Sequence, residues 1–111
     1  MPRVKDKIAL VTGGSRGIGA ETAKLLASEG AFVIIVDVLD DLGQAVAADI
    51  GNQAVYYHLD VSRETEWQTV CEDIRQKYGR LDILFNNAGI SGFEEEFARR
   101  LQDVEHASLE D

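Results

Sequence analysis

Residues 12–19 read Thr12-Gly13-Gly14-Ser15-Arg16-Gly17-Ile18-Gly19, directly after the apolar run Ile8 to Val11 and at the start of a segment with helical period. A diphosphate needs backbone N–H groups at a helix N-terminus pointing at it with no Cβ in the way, and the helix dipole there favours negative charge. In this stretch Gly13 makes the sharp turn, Gly17 lets the chain approach the phosphates, and Gly19 lets the helix lie close on the first strand. The plain alternative is a tight strand-to-helix turn with no ligand, although each glycine inside the helix costs roughly 1 kcal/mol. A Walker A loop is excluded, because it ends in Gly-Lys followed by Ser or Thr and this loop ends in Gly19-Ala20-Glu21.

Outward from the turn, four short apolar runs recur: Ile8 to Val11, Phe32 to Val36, Ala54 to Leu59 and Leu81 to Phe85. Each is bounded by Gly, Asp or Asn and reads as a strand. The first, second and fourth are apolar on consecutive positions, as strands covered on both faces require. Between them lie three helical stripes. Trp67, Val70, Cys71, Ile74 and Tyr78 mark the surest, with Ser62 to cap its start and Gly79 its end. Leu42, Val46 and Ile50 mark a second, entered through Asp40 and Asp41 and closed by Gly51. In the third, from Gly17 to Glu29, Ile18, Leu25 and Leu26 supply bulk while Ala20, Ala23 and Ala27 allow close approach, and Gly30 ends it. The order β-α-β-α-β-α-β predicts a single α/β domain of the Rossmann type, a doubly wound parallel sheet that stops after its fourth strand.

Asp37 closes the second run, eighteen positions after Gly19. A carboxylate at that strand tip accepts hydrogen bonds from both ribose hydroxyls of NAD and repels the 2′-phosphate of NADP. Its simpler reading is a helix cap, but Asp40 and Asp41 already offer caps. The composition fits a soluble cofactor protein: 45% hydrophobic, 28% charged and one Pro in 111 residues. A formal charge of -9 argues against nucleic acid and anionic membrane as partners. The N-terminal apolar run is too short for a signal sequence or a spanning helix, so a cytoplasmic location is expected. Cys71 is the only cysteine, which leaves no internal disulfide and no metal set beside it; it reads as apolar filler on a helix.

Taken together, these residues resemble the short-chain dehydrogenase/reductase family from about Lys7 to Gly89. The family's Thr-Gly-x-x-x-Gly-x-Gly motif is matched by Thr12, Gly13, Gly17 and Gly19, and its Asn-Asn-Ala-Gly motif after the fourth strand by Asn86, Asn87, Ala88 and Gly89. Asp60-Val61 looks like the family's adenine site. The resemblance implies that Ser15, Arg16 and Ile18 flank the phosphates and adenosine ribose, and that Asn87, Ala88 and Gly89 border a nicotinamide dinucleotide and steady the sheet. Arg16 stands where NADP users of the family often carry a basic residue, so it and Asp37 point opposite ways. A carboxylate at the ribose must be moved or neutralised before a 2′-phosphate fits, whereas an Arg can swing into solvent; NAD is therefore expected over NADP.

In this family a Tyr assisted by a Lys four residues later passes the proton while nicotinamide passes the hydride, with a Ser and an Asn in support. The tyrosines here, Tyr56, Tyr57 and Tyr78, are followed four positions later by Asp60, Val61 and Asp82. His58 reads as a strand-end residue and His106 as a loop residue, neither with a partner legible in sequence. No catalytic residue is assigned, and the chain alone is expected to be inactive. Phe93, Phe97, Leu101 and Val104 predict a short helix, and Ser108-Leu109-Glu110-Asp111 the start of another. A fourth strand left with an open edge predicts self-association or completion by a C-terminal segment. Three readings stay open: part of an NAD-dependent alcohol/ketone oxidoreductase, a non-catalytic nucleotide-binding or interaction module, and a half-enzyme completed by another chain.

Overall fold

Ile8–Thr12 forms β1 because its β-branched and bulky residues are buried on both faces of a sheet; Ala9, Leu10, Val11 and Thr12 are all fully buried. The structure, a computed structural model, describes residues 4–87. Around β1 follow α1 (Gly17–Ser28), β2 (Phe32–Asp37), α2 (Asp40–Ile50), β3 (Ala54–His58), α3 (Glu64–Tyr78) and β4 (Ile83–Asn86). The four strands are parallel in the order β3-β2-β1-β4, with Val11 paired to both Ile35 and Phe85 and Asp37 to His58. This is the doubly wound arrangement expected from the element order. The carboxyl ends of β1, β2 and β4 thus lie side by side at one rim of the sheet, where ligands of such sheets bind.

Alternation along the strands divides the core in two. Leu10, Ile34 and Val36 face α3, where Trp67, Val70, Cys71 and Ile74 complete one layer. Ala9, Val11, Val33 and Ile35 face the opposite side, against Ala20 and Ala23 of α1 and Val46 of α2. The stripe of α3 is the one read from its periodicity, with Cys71 packed inside it, and Gly79 ends that helix in the left-handed region at φ 75°.

In the other two helices the close approach of Ala20 and Ala23 and the burial of Val46 are as expected, with Leu26 and Ile50 packed beside them, but three bulky residues of the expected stripes face solvent. Ile18 and Leu25 of α1 point outward, 71% and 60% exposed, while Ala20 and Ala23 meet the sheet. In α2, Leu42 is exposed and Gly43 is buried in its place. A Cβ at Gly43 would stand 2.1 Å from the Tyr56 ring, so the ring of β3 occupies the space a larger residue would need.

The expected caps also differ. Leu39 and Arg63 hold the N-cap positions of α2 and α3, without side-chain cap bonds. Asp40 and Asp41 fall within the first turn of α2, where they still suit the helix dipole. The Ser62 hydroxyl donates to Asp60 Oδ1 at 2.6 Å instead of accepting from a helix amide as a cap. The helices expected from Phe93 onward lie outside the described residues.

Candidate functional site

The turn after β1 is fastened to β2 amide by amide. Gly13 N donates to Val36 O at 2.9 Å, Gly14 N to the same oxygen at 3.4 Å, and Ser15 N to Asp37 Oδ2 at 3.1 Å. The helix then opens with the bond from Ala20 N to Arg16 O at 3.2 Å. The amides of Gly17, Ile18 and Gly19 come at the start of α1, where a helix leaves its N–H groups without intrahelical acceptors. No side chain caps this end and its first turn carries no acidic residue, whereas α2 and α3 carry Asp40 and Asp41, and Glu64 and Glu66. Of the three helix entrances, it is the one whose dipole no carboxylate in the first turn offsets.

Each glycine here has a distinct physical reason. Gly13 and Gly17 hold φ of 64° and 59°. At Gly17 an added Cβ would meet nothing within 4 Å, so the missing side chain keeps the space beside the turn open. At Gly19 a Cβ would fall 2.1 Å from Gly13 O and 2.9 Å from Asn87 Nδ2; its close contact is with the turn itself. The tight approach to the sheet belongs to Gly14, where a Cβ would stand 2.8 Å from Ile35 Cγ2. Sequence reasoning gave Gly14 no role.

From β4, Asn86 and Asn87 lock the neighbouring strand end. Thr12 Oγ1 donates to Asn86 Oδ1 at 2.8 Å and accepts from Asn87 N at 2.9 Å, while Asn87 Nδ2 donates to Gly13 O at 3.2 Å. Beside this junction opens a cleft of about 540 Å³ lined by Gly13, Arg16, Gly17, Ile18, Asp37, Val38, Leu39 and Asn87. Six of the sequence-assigned residues therefore share one wall. Val38 and Leu39 are additions; their place directly after a residue assigned to the cleft was the available signal. Ile18 and Val38, 71% and 49% exposed, give the cleft apolar surface beside its charged Arg16 and Asp37.

Four assigned residues sit elsewhere among the described ones. Ser15, 3% exposed, and Gly19 lie behind the cleft wall. Asp60 Oδ1 accepts from the Ser62 amide and hydroxyl at 3.0 and 2.6 Å, which hold that carboxyl below its ordinary value, and Val61 packs against the α3 core. Neither Asp60 nor Val61 lines the cleft. Ala88 and Gly89 lie outside the described residues.

Asp37 is the charged focus. Its Oδ2 accepts from both the amide and the hydroxyl of Ser15, and its Oδ1 accepts from Val38 N at 2.7 Å. Burial pushes its pKa up, but the Ser15 hydroxyl and the amides of Val38, Ser15 and Leu39 outweigh it, and the carboxyl titrates below its ordinary value. A carboxylate oxygen offers about two acceptor positions. Ser15 therefore occupies both positions of Oδ2. The bidentate grip expected on both ribose hydroxyls would therefore require Ser15 to yield a bond.

Behind Asp37 runs a chain of polar contacts that sequence did not suggest. The Tyr56 hydroxyl lies 2.7 Å from Asp37 O and 2.5 Å from Asp40 Oδ1, sharing one proton between two acceptors. His58 Nδ1 reaches the same Asp40 oxygen at 2.8 Å, and its Nε2 lies 3.7 Å from Glu66 Oε1. The hydrogen bond to Asp40 raises the pKa of His58, whereas burial and then Asp40 raise that of Tyr56. A larger hollow of about 670 Å³ lies along α3 beside Tyr57, but Glu72 and Asp73 line it and no glycine turn opens on it. It has nothing to hold a phosphate. Among the described residues no His, Cys, Asp and Glu group is placed to hold a metal, and no helix is long and apolar enough to cross a membrane.

The sequence profile described as short chain dehydrogenase matches residues 7–109. The chain belongs to the short-chain dehydrogenase family. Tropinone reductase-like 2 of Erythroxylum coca is 53% identical over 88 residues, which are 79% of this chain and 32% of that protein. Short-chain dehydrogenase reductase 3b of Arabidopsis thaliana is 52% identical over 89 residues, 79% of this chain and 35% of the relative. Short chain aldehyde dehydrogenase 1 of Euphorbia lathyris is 47% identical over 92 residues, 81% and 32% of the two chains. This short-chain dehydrogenase segment thus spans about a third of the length of the relatives it matches. The family consists of NAD(P)-dependent oxidoreductases, and the aligned region contains the glycine turn and the two asparagines described above.

Proposed function

We propose that the cleft between β1 and β2 binds NAD, and that the protein carrying this segment transfers hydride between the nicotinamide and an alcohol or ketone. One observation carries the reading: an open glycine turn and an ionised Asp37 share the same cleft wall. The residues fit the cofactor. Side-chain-free space at Gly17 admits a diphosphate to the amides of Gly17 and Ile18, which bind it through hydrogen bonds reinforced by the helix dipole. Asp37 offers Oδ1 to a ribose hydroxyl, and Ile18 and Val38 supply apolar surface on the adenosine side. Asn87, tied to Gly13 and Thr12, keeps the end of β4 against the turn. Bound there, NAD supplies the hydride acceptor.

The carboxylate favours NAD over NADP. A 2′-phosphate adds about -1.5 to -2 charge, and beside an ionised Asp37 it meets repulsion that the exposed Arg16 offsets only by leaving solvent. Calorimetric titration of the protein is expected to give tighter binding of NAD than of NADP, with the preference lost in Asp37→Ala. Tighter NADP binding, or an unchanged preference in the variant, would count against the reading.

These residues alone are proposed to bind without catalysing. None of Tyr56, Tyr57 and Tyr78 has a lysine four positions on. Hydride transfer to any carbonyl by purified, mass-verified protein of these 111 residues would overturn this part.

A further inference from the structure

The cleft wall contains Asp37 but not Ser15, its closest side-chain partner. Ser15 is 3% exposed, with both its amide and its hydroxyl directed at Asp37 Oδ2. From the other side Val38 N holds Oδ1 at 2.7 Å. These donors, with the Leu39 amide beside them, fix the orientation of the carboxylate as well as its charge. Those donors are not equivalent: Val38 follows Asp37 in the chain and comes with β2, whereas Ser15 belongs to the turn after β1, 22 positions away. Ser15 is also placed by the turn, since Gly14 fits against Ile35 and Val11 only without a Cβ.

We propose that Ser15 is a positioning residue for cofactor selectivity, pinning the Asp37 carboxylate at the cleft mouth so that it can neither rotate away from a 2′-phosphate nor accept a proton to accommodate one. Discrimination needs a cost against the wrong ligand as well as a contact with the right one. A mobile carboxylate lowers that cost by swinging into solvent, and a protonated one removes it. Ser15 closes both routes without entering the cleft, and the lowered pKa of Asp37 agrees with that role. The inference rests on reading the cleft as an NAD site, and it adds a determinant that acts only through Asp37.

The test is a double-mutant cycle with a readout that needs no ligand. NAD and NADP affinities are measured by calorimetry for the protein, Ser15→Ala, Asp37→Asn and the double variant. Loss of a hydrogen bond to a charged group is expected to lower the NAD-over-NADP affinity ratio about tenfold in Ser15→Ala. In the Asp37→Asn background the same substitution leaves the ratio unchanged. In parallel, the Asp37 side-chain carboxyl carbon is titrated by NMR, and its midpoint is expected to rise in Ser15→Ala. An unchanged ratio in the single variant, an equal change in both backgrounds, or an unmoved midpoint overturns the role of Ser15 while leaving the NAD reading intact. Failure of the unsubstituted protein to bind either dinucleotide overturns both. Should Ser15→Ala not fold, Ser15→Cys keeps the size with a weaker donor and is held to the same directions.

Discussion

At Gly17 the backbone turns through φ 59° and a side chain would find only open space, so the cost of replacing it is conformational. Gly17→Ala is expected to lose about 1–2 kcal/mol of stability in denaturant titrations, and Gly17→Asn less, because Asn tolerates the left-handed region. Gly19→Ala differs in kind. Its Cβ would meet the Gly13 carbonyl at 2.1 Å, a backbone atom that cannot step aside without deforming the turn. Overpacking of this sort costs typically 1–3 kcal/mol, and here dinucleotide affinity should fall with it. Equal losses in Gly17→Ala and Gly19→Ala, with affinity retained in the second, would contradict these assignments. The need for glycine at Gly13, Gly17 and Gly19 was legible from spacing alone. The need at Gly14 was not, because it comes from Ile35 on the neighbouring strand. Nor was the Ser15 to Asp37 contact, which joins residues 22 positions apart through the pairing of β1 with β2.

Between elements, the polar chain at the end of β3 ties α2 to α3. Asp40 accepts from Tyr56 and His58, and His58 approaches Glu66 of α3. Asp40 raises the His58 pKa above its ordinary 6.5, with Glu66 and Asp60 adding to the effect, while burial opposes it. The sign follows from linkage: a raised folded value means stability that is fully present below the unfolded pKa and lost as pH rises through the folded one. The bonds from Tyr56 and His58 lower the Asp40 pKa below 3.8, so its share is lost only as pH falls through that lowered value. Asp40→Asn is therefore expected to destabilise the protein more at pH near 6 than at pH near 9. It should also move the His58 NMR titration midpoint downward, and a midpoint unaffected by Asp40→Asn would dismiss the link. Among the described residues periodicity identified each helix but misplaced three bulky residues, Ile18, Leu25 and Leu42. The stripe of α3 stood out because Trp67, Val70, Cys71 and Ile74 are large and buried together. In α1 and α2 the alanines Ala20 and Ala23 and Val46 pack as read, but Gly43 carries no hydrophobic signal, while Ile18, Leu25 and Leu42 advertise a face that stays in water.

Over the whole molecule, the layered core and the strand order β3-β2-β1-β4 follow from short runs of apolar residues separated by three helical stripes. Parallel strands covered on both faces left consecutive apolar positions in the sequence, which is why the fold class could be read from it. The cleft arises where the ends of β1, β2 and β4 meet, and Asn87 belongs to it through bonds to residues 74 and 75 positions earlier. Ile83, Leu84 and Phe85 of β4 are only partly buried, and the strand pairs with β1 alone among the described elements. A protein of these 111 residues is expected to self-associate or to be only marginally stable, since a half-buried large apolar side chain forgoes part of the about 1.5–3 kcal/mol that full burial gives. Light scattering coupled to size exclusion that shows a cooperative, stable monomer without ligand would disprove this. The central claim is that a dinucleotide lies over the entrance of α1 with its adenosine ribose at Asp37. Its most direct test is a crystal structure determined with NAD. The account predicts the diphosphate within hydrogen-bonding distance of the Gly17 and Ile18 amides and a ribose hydroxyl on Asp37 Oδ1; a dinucleotide bound elsewhere, with this cleft filled by the protein's own side chains, would contradict it.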